Sequence, residues 1–111
     1  MDIAKIDWSE TDWTHVRTGV DRKGFSGTGA TIAINRLMPG HEPRPHSHPH
    51  EQIAYIISGK IKFVVGGEEH ILGPGSVLVV PPNVEHWGEV IGDEPVMNLD
   101  VFTPTRPEYS S

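Results

Sequence analysis

The chain has 111 residues, enough for one compact domain with a modest core. Its 36% hydrophobic content, with 12 Gly and 10 Pro scattered along the chain, points to short strands and frequent turns rather than to a helical bundle. A formal net charge of −6 without a basic cluster argues against nucleic acid, and the absence of cysteine excludes disulfides and thiolate metal sites.

The leading segment sets Trp8 and Trp13 among acids and is expected to dock on the body or on a partner subunit. Met1–Glu10 lacks the apolar core of a secretory signal. No stretch approaches the roughly 20 apolar residues of a membrane span. The cytoplasm is therefore the expected compartment, with no membrane partner. Gly24–Gly29, GFSGTG, reads as a turn, since its spacing matches no phosphate loop. Thr31–Met38 reads as a strand ended by Pro39-Gly40. HEPRPHSHPHEQ is too rich in proline for a central strand or a helix, so it predicts a loop entering the strand Gln52–Ile57. Lys60–Val65 and Glu68–Leu72 flank Gly66-Gly67 as a hairpin. Val77–Val80 is continuously apolar and predicts a strand buried on both faces. Pro81-Pro82-Asn83 turns the chain, His86 opens another strand, and Val96–Phe102 is the last before a polar, Pro-rich tail. Eight or nine strands without an amphipathic helix predict an antiparallel sandwich or closed barrel.

Chemistry concentrates in two places. His46 and His48 lie two apart, the strand spacing that turns side chains to one side. Neutral imidazoles are common ligands of divalent transition metals, and such a pair needs at least one further ligand from elsewhere. His15 and His70 read as exposed polar positions, and His41 as a residue of the barrel mouth. In the last strand, Asn98, Asp100 and Phe102 share one face while Leu99 and Val101 take the other. A carboxylate aimed into an apolar interior requires a partner. Two roles are open to Asp100: a structural pair with Arg36 or Arg106, or a general acid or base beside a metal.

Two spaced signatures frame these residues. One runs Gly40-x5-His46-x-His48-x3-Gln52-x6-Gly59, the other Gly75-x5-Pro81-x-Asn83-x2-His86. Together they resemble the paired motifs of the cupin superfamily over roughly residues 30–103. The resemblance implies an all-β, single-domain cupin barrel of jelly-roll topology across residues 1–111. Residues 1–29 form an arm and first strands, 30–103 the core and 104–111 a tail. It also implies that His46, His48, Gln52 and His86 hold one divalent transition metal: Fe, Mn, Ni, Co or Zn. Gln52 stands where the family carries glutamate, with Glu51 and His50 as rivals for that role. Asn83 replaces a glycine and tolerates the same left-handed turn. Val90 stands in for an asparagine that is not a ligand. A neutral ligand shell leaves the metal its full charge, which suits an anionic substrate.

The run Asp100-x-Phe102-x-Pro104-x-Arg106-x-Glu108-Tyr109 resembles, more narrowly, the cupins that linearise 4,5-unsaturated uronates to the open keto form. That resemblance implies catalytic roles for Asp100 and Arg106, with Arg106 and Phe102 against the substrate. Arg36 is a candidate second carboxylate contact. The expected protein is a metal-dependent isomerase or lyase-type enzyme of carbohydrate metabolism, acting on a small anionic molecule as a homodimer. The alternatives are an Fe(II) dioxygenase and a non-catalytic sugar-binding or sensor protein.

Overall fold

The computed structural model describes residues 3–110; Met1, Asp2 and Ser111, the outer ends of the expected arm and tail, lie outside the described residues. The strands are β1 Thr14–Arg17, β2 Val20–Ser26, β3 Thr31–Leu37, β4 Glu51–Ser58, β5 Ile61–Val65, β6 Glu68–Leu72, β7 Val77–Val80, β8 His86–Val90 and β9 Val96–Thr103. They pair into a six-stranded sheet ordered β1-β2-β3-β9-β4-β7 and a three-stranded sheet ordered β6-β5-β8, with every pairing antiparallel. The all-β expectation holds. Among the described residues no helix is long and apolar enough to cross a membrane.

Period-two alternation builds the interior. In β3, Thr31, Ala33, Asn35 and Leu37 are buried while the residues between them are half-exposed. In β9 the buried set is Val96, Asn98, Asp100 and Phe102, and in β4 it is Gln52, Ala54 and Ile56. Leu37, Ile56 and Val96 meet Val20, Ile61, Phe63 and Leu72 in the core between the sheets. Register then determines what stands beside what. Asp100 lies between Ala33 on one side and Ala54 on the other. Two small neighbours leave room for longer side chains one step along, Asn35 and Gln52, to lean toward the carboxylate.

Three expectations change. Val77–Val80 is not buried on both faces: β7 closes one edge of the large sheet, and Val77 and Val79 are 60% and 51% exposed. An edge strand and a doubly covered strand share one apolar signature, so the run alone does not separate them. Gly24-Phe25-Ser26 belongs to β2, and the turn begins only at Gly27, whose N–H reaches the Ala30 carbonyl at 2.9 Å. Arg36 faces outward, because alternation that buries Asn35 and Leu37 must expose the residue between them. There Arg36 pairs with Asp21 at 3.0 Å and lies over the Trp13 ring at 4.3 Å. The leading segment docks on the protein's own body: Lys23 reaches the Trp8 carbonyl at 2.7 Å and lies over the Trp13 ring.

Candidate metal and carboxylate site

The proline-rich loop before β4 and the turn before β8 are joined through their backbones. His46 and His86 form an isolated antiparallel bridge, with N–H to carbonyl distances of 3.1 and 2.9 Å. Asn83 takes the left-handed conformation, φ 64°, and its N–H reaches the His48 carbonyl at 2.8 Å. Asparagine thus fills the glycine position as expected. The result brings one ring nitrogen each from His46, His48 and His86 within 4.8 Å of one another.

The rings are oriented as well as close. Each Nδ1 faces a backbone carbonyl two residues away: His46 to Arg44 at 2.8 Å, His48 to His50 at 3.0 Å and His86 to Val84 at 2.9 Å. A carbonyl only accepts, so each Nδ1 carries the proton and each Nε2 keeps a bare lone pair. The buried Nε2 of His86 has no hydrogen-bond partner. The Nε2 of His48 stands 3.1 Å from Gln52 Oε1, two acceptors converging on one space. Burial holds all three imidazoles below their usual pKa, His86 at about 4, so they remain neutral near pH 7. Bare nitrogens, an orphaned buried Nε2 and an adjacent amide oxygen are the chemistry of a divalent-cation site, and the donor set fits that group. Among the rivals to Gln52, Glu51 is exposed, and His50 donates from Nε2 to the Thr105 carbonyl at 3.2 Å. Neither belongs to the converging group.

Gln52 also connects this cluster to Asp100. Its Nε2 donates to Asp100 Oδ1 at 2.9 Å, while Asn35 and Asn98 donate to Oδ2 at 2.9 Å each. Asp100 is therefore satisfied by three amides, and neither Arg36 nor Arg106 is its ion-pair partner. Burial raises its pKa to about 6 against those hydrogen bonds and the nearby Arg22 and Arg106 charges.

His46, Gln52, His86, Asp100, Phe102 and Arg106 line a cavity of about 250 Å³. Phe102 sets its ring edge-on to His48 and beneath the Arg106 guanidinium. Arg106 Nε and Nη1 are buried without hydrogen-bond partners, with only the exposed Glu108 carboxylate nearby, 3.5 Å from Nε. Arg36 is absent from this wall; Arg17, Arg22 and Arg44 stand there instead. Sequence reasoning missed Asn35 and Arg22. Alternation was sufficient to find Asn35, but Arg22 depends on the β2–β3 register, which sets it opposite Asn35. His41 is buried away from the cavity wall, its Nε2 accepting the Val90 N–H at 3.2 Å, so it is not a residue of the mouth.

Comparison with known proteins gives a consistent picture. The cupin domain model matches residues 33–102. The pectin degradation protein KdgF of Dickeya dadantii is 30% identical over 102 residues, covering 90% of this chain and 92% of that protein. Acireductone dioxygenase of Bacillus pumilus is 28% identical over 87 residues, 74% of this chain and 49% of the dioxygenase. The structure of KdgF from Halomonas sp. superposes with a TM-score of 0.86 at 25% identity, covering 96% of this chain and 98% of that one. An RmlC-like cupin from Shewanella frigidimarina gives 0.87 at 23% identity, over 97% and 96% of the two chains.

Proposed function

The chain belongs to the cupin domain family, and from that premise we propose that it is a metal-dependent enzyme that linearises 4,5-unsaturated monouronates. The observation that carries the reading is that Asp100 and Arg106 line one cavity with Gln52 and with His46 and His86, two members of the three-imidazole cluster. The likeness to two KdgF proteins, one named for pectin degradation, agrees with it.

His46, His48, Gln52 and His86 would hold one divalent metal, which when bound supplies Lewis-acid polarisation of substrate oxygens. Arg106 offers two unpartnered N–H groups to the substrate carboxylate, a charge-assisted contact that orients the ring. Phe102 presents an apolar face to the sugar. In the reaction the hemiacetal hydroxyl loses its proton and the bond from C1 to the ring oxygen breaks. That oxygen becomes the C5 ketone, C1 becomes the aldehyde, and C4 takes up a proton. Asp100 moves that proton. With a pKa of about 6 it populates both protonation states near neutrality. In this reading residues 1–111 work as one cupin domain, because Arg106 and Tyr109 of the tail complete the cavity wall.

Proton NMR in D2O tests the assignment. Lyase-generated unsaturated galacturonate should yield the open-chain ketone with deuterium at C4, faster than its spontaneous opening. Chelation and Asp100→Ala should each remove the excess rate. No excess rate with any divalent metal would sink it.

The acireductone dioxygenase likeness supports a second reading, Fe(II)-dependent oxygenation at the same cluster. Oxygen uptake on enediol substrates, insensitive to loss of the Asp100 carboxylate, would favour it.

The reading includes a homodimer. Ile53, Tyr55, Ile57, Val77 and Val79 leave an exposed apolar outer face on β4 and the edge strand β7. Sedimentation of wild type and Val77→Lys tests it, the variant being expected as monomer.

A further inference from the structure

The geometry points to Arg22 as a second guanidinium of the carboxylate site, held with Arg106 on one aromatic support, Tyr109. This rests on the reading of the cavity as a site for an anionic sugar. The guanidinium carbons of Arg22 and Arg106 lie 3.6 and 3.8 Å from the centre of the Tyr109 ring. Both arginines and the ring line the cavity. Arg22 donates from Nε to the neutral Asn35 Oδ1 at 2.9 Å and, among the described residues, forms no ion pair. Two like charges gathered on one ring, with only the exposed Glu108 carboxylate paired to Arg106 and, among the described residues, none paired to Arg22, form a locally cationic wall that favours an anionic ligand. Planar guanidiniums also stack on aromatic faces and match carboxylates bidentately, which lysine does not do.

The support is itself built in. A Cβ at position 24 would collide with the Tyr109 carbonyl, so Gly24 is what lets the tail lie against β2. The Tyr109 ring meets Phe102 edge-on at 5.3 Å, the Arg106 N–H reaches Thr31 Oγ1 at 2.8 Å, and Ser110 hydrogen-bonds Ser26. Tyr109 is therefore a positioning residue that presets two cations before the substrate arrives. Arg22 also reaches the proton-moving group, since Asn35 hydrogen-bonds both Arg22 and Asp100.

The test is calorimetric binding of D-galacturonate, with galactose as the uncharged control, to metal-loaded wild type, Arg22→Gln, Arg22→Lys, Tyr109→Ala, Tyr109→Phe and Arg106→Gln. Arg22→Gln and Tyr109→Ala should each weaken galacturonate by roughly tenfold and leave galactose unchanged. Tyr109→Phe, which keeps the ring, should restore binding to within about twofold. In turnover of the unsaturated uronate, Tyr109→Ala should raise KM by a similar factor and change kcat little. Arg22→Lys retains the charge without the planar stack and should fall between wild type and Arg22→Gln. If Arg106→Gln abolishes galacturonate binding while both Arg22 variants and Tyr109→Ala bind like wild type, the clamp is wrong and the anionic-sugar reading stands. If wild type binds galacturonate no better than galactose, both fall.

Discussion

The two ends of the barrel interior are made by the same three strands and have opposite characters. At one end Leu37 of β3, Ile56 of β4 and Val96 of β9 meet Val20, Ile61, Phe63 and Leu72 in an apolar core. At the other, the same strands turn in Asn35, Gln52, Asn98 and Asp100, and the three histidines close over them. The apolar end is held by packing, with His41 Nδ1 as a buried atom without a hydrogen-bond partner. The polar end retains more such atoms, at His86 Nε2, at Asn98 Oδ1 and at two nitrogens of Arg106. Such atoms carry a cost in a finished core, which a bound ligand removes. Fold stability and chemistry are thus separated along each strand rather than divided between strands.

Substitutions at the two ends should accordingly fail in different ways. The largest effect is expected from Ile56→Ala, where a fully buried side chain leaves a cavity. Chemical denaturation should show a loss of about 2–5 kcal/mol, with metal affinity of the folded fraction unchanged. His86→Ala inverts that pattern: it should weaken divalent metal binding by roughly 100-fold, about 2.7 kcal/mol. Thermal melts should then lose the rise in midpoint that metal gives wild type, while the metal-free variant still folds.

A smaller effect sharpens the contrast, because the apolar end also contains a histidine. His41 packs against Gly19 and accepts from the Val90 N–H, and burial lowers its pKa from the usual 6.5. A depressed pKa means the folded state resists the proton that the unfolded state takes. Stability is therefore present above pH 6.5 and is lost as pH falls below it. The Glu42 backbone and the Glu89 charge oppose that shift, and the Arg17 charge adds to it. Denaturation of metal-free protein between pH 7.5 and 5 should show His41→Gln losing less stability than wild type. Metal binding at pH 7.5 should be equal in the two. The smallest effect belongs to Arg36→Ala. Its partly exposed pair with Asp21 is worth at most about 1 kcal/mol, and galacturonate affinity should not change.

Much of this contrast was legible in the sequence. Glycine and proline punctuation located β3 to β9, and the spacing of two signatures brought His46, His48, Gln52 and His86 into one frame before any coordinate. Asp100 was readable as inward because Leu99 and Val101 flank it. The same parity applied to Thr31–Leu37 buries Asn35 and excludes Arg36, so that error lay in not carrying the alternation through. β7 misled for a physical reason: valines facing solvent at an uncovered edge look the same in sequence as valines facing a core. Arg22 and Tyr109 were illegible in a stronger sense. Their meeting depends on the β2–β3 register and on a tail that folds back over Gly24, a contact between residues far apart in the chain.

The central claim, that the polar end linearises an unsaturated uronate around a bound metal, is tested most directly by one assay. Protein stripped of metal and reloaded with single divalent ions is mixed, without oxygen, with lyase-generated 4,5-unsaturated galacturonate, and the ultraviolet band of the conjugated double bond is followed. The account predicts that the band decays faster than in buffer, only with metal, and without need of oxygen. A band that decays at the spontaneous rate with every metal, or faster only when oxygen is admitted, would contradict it.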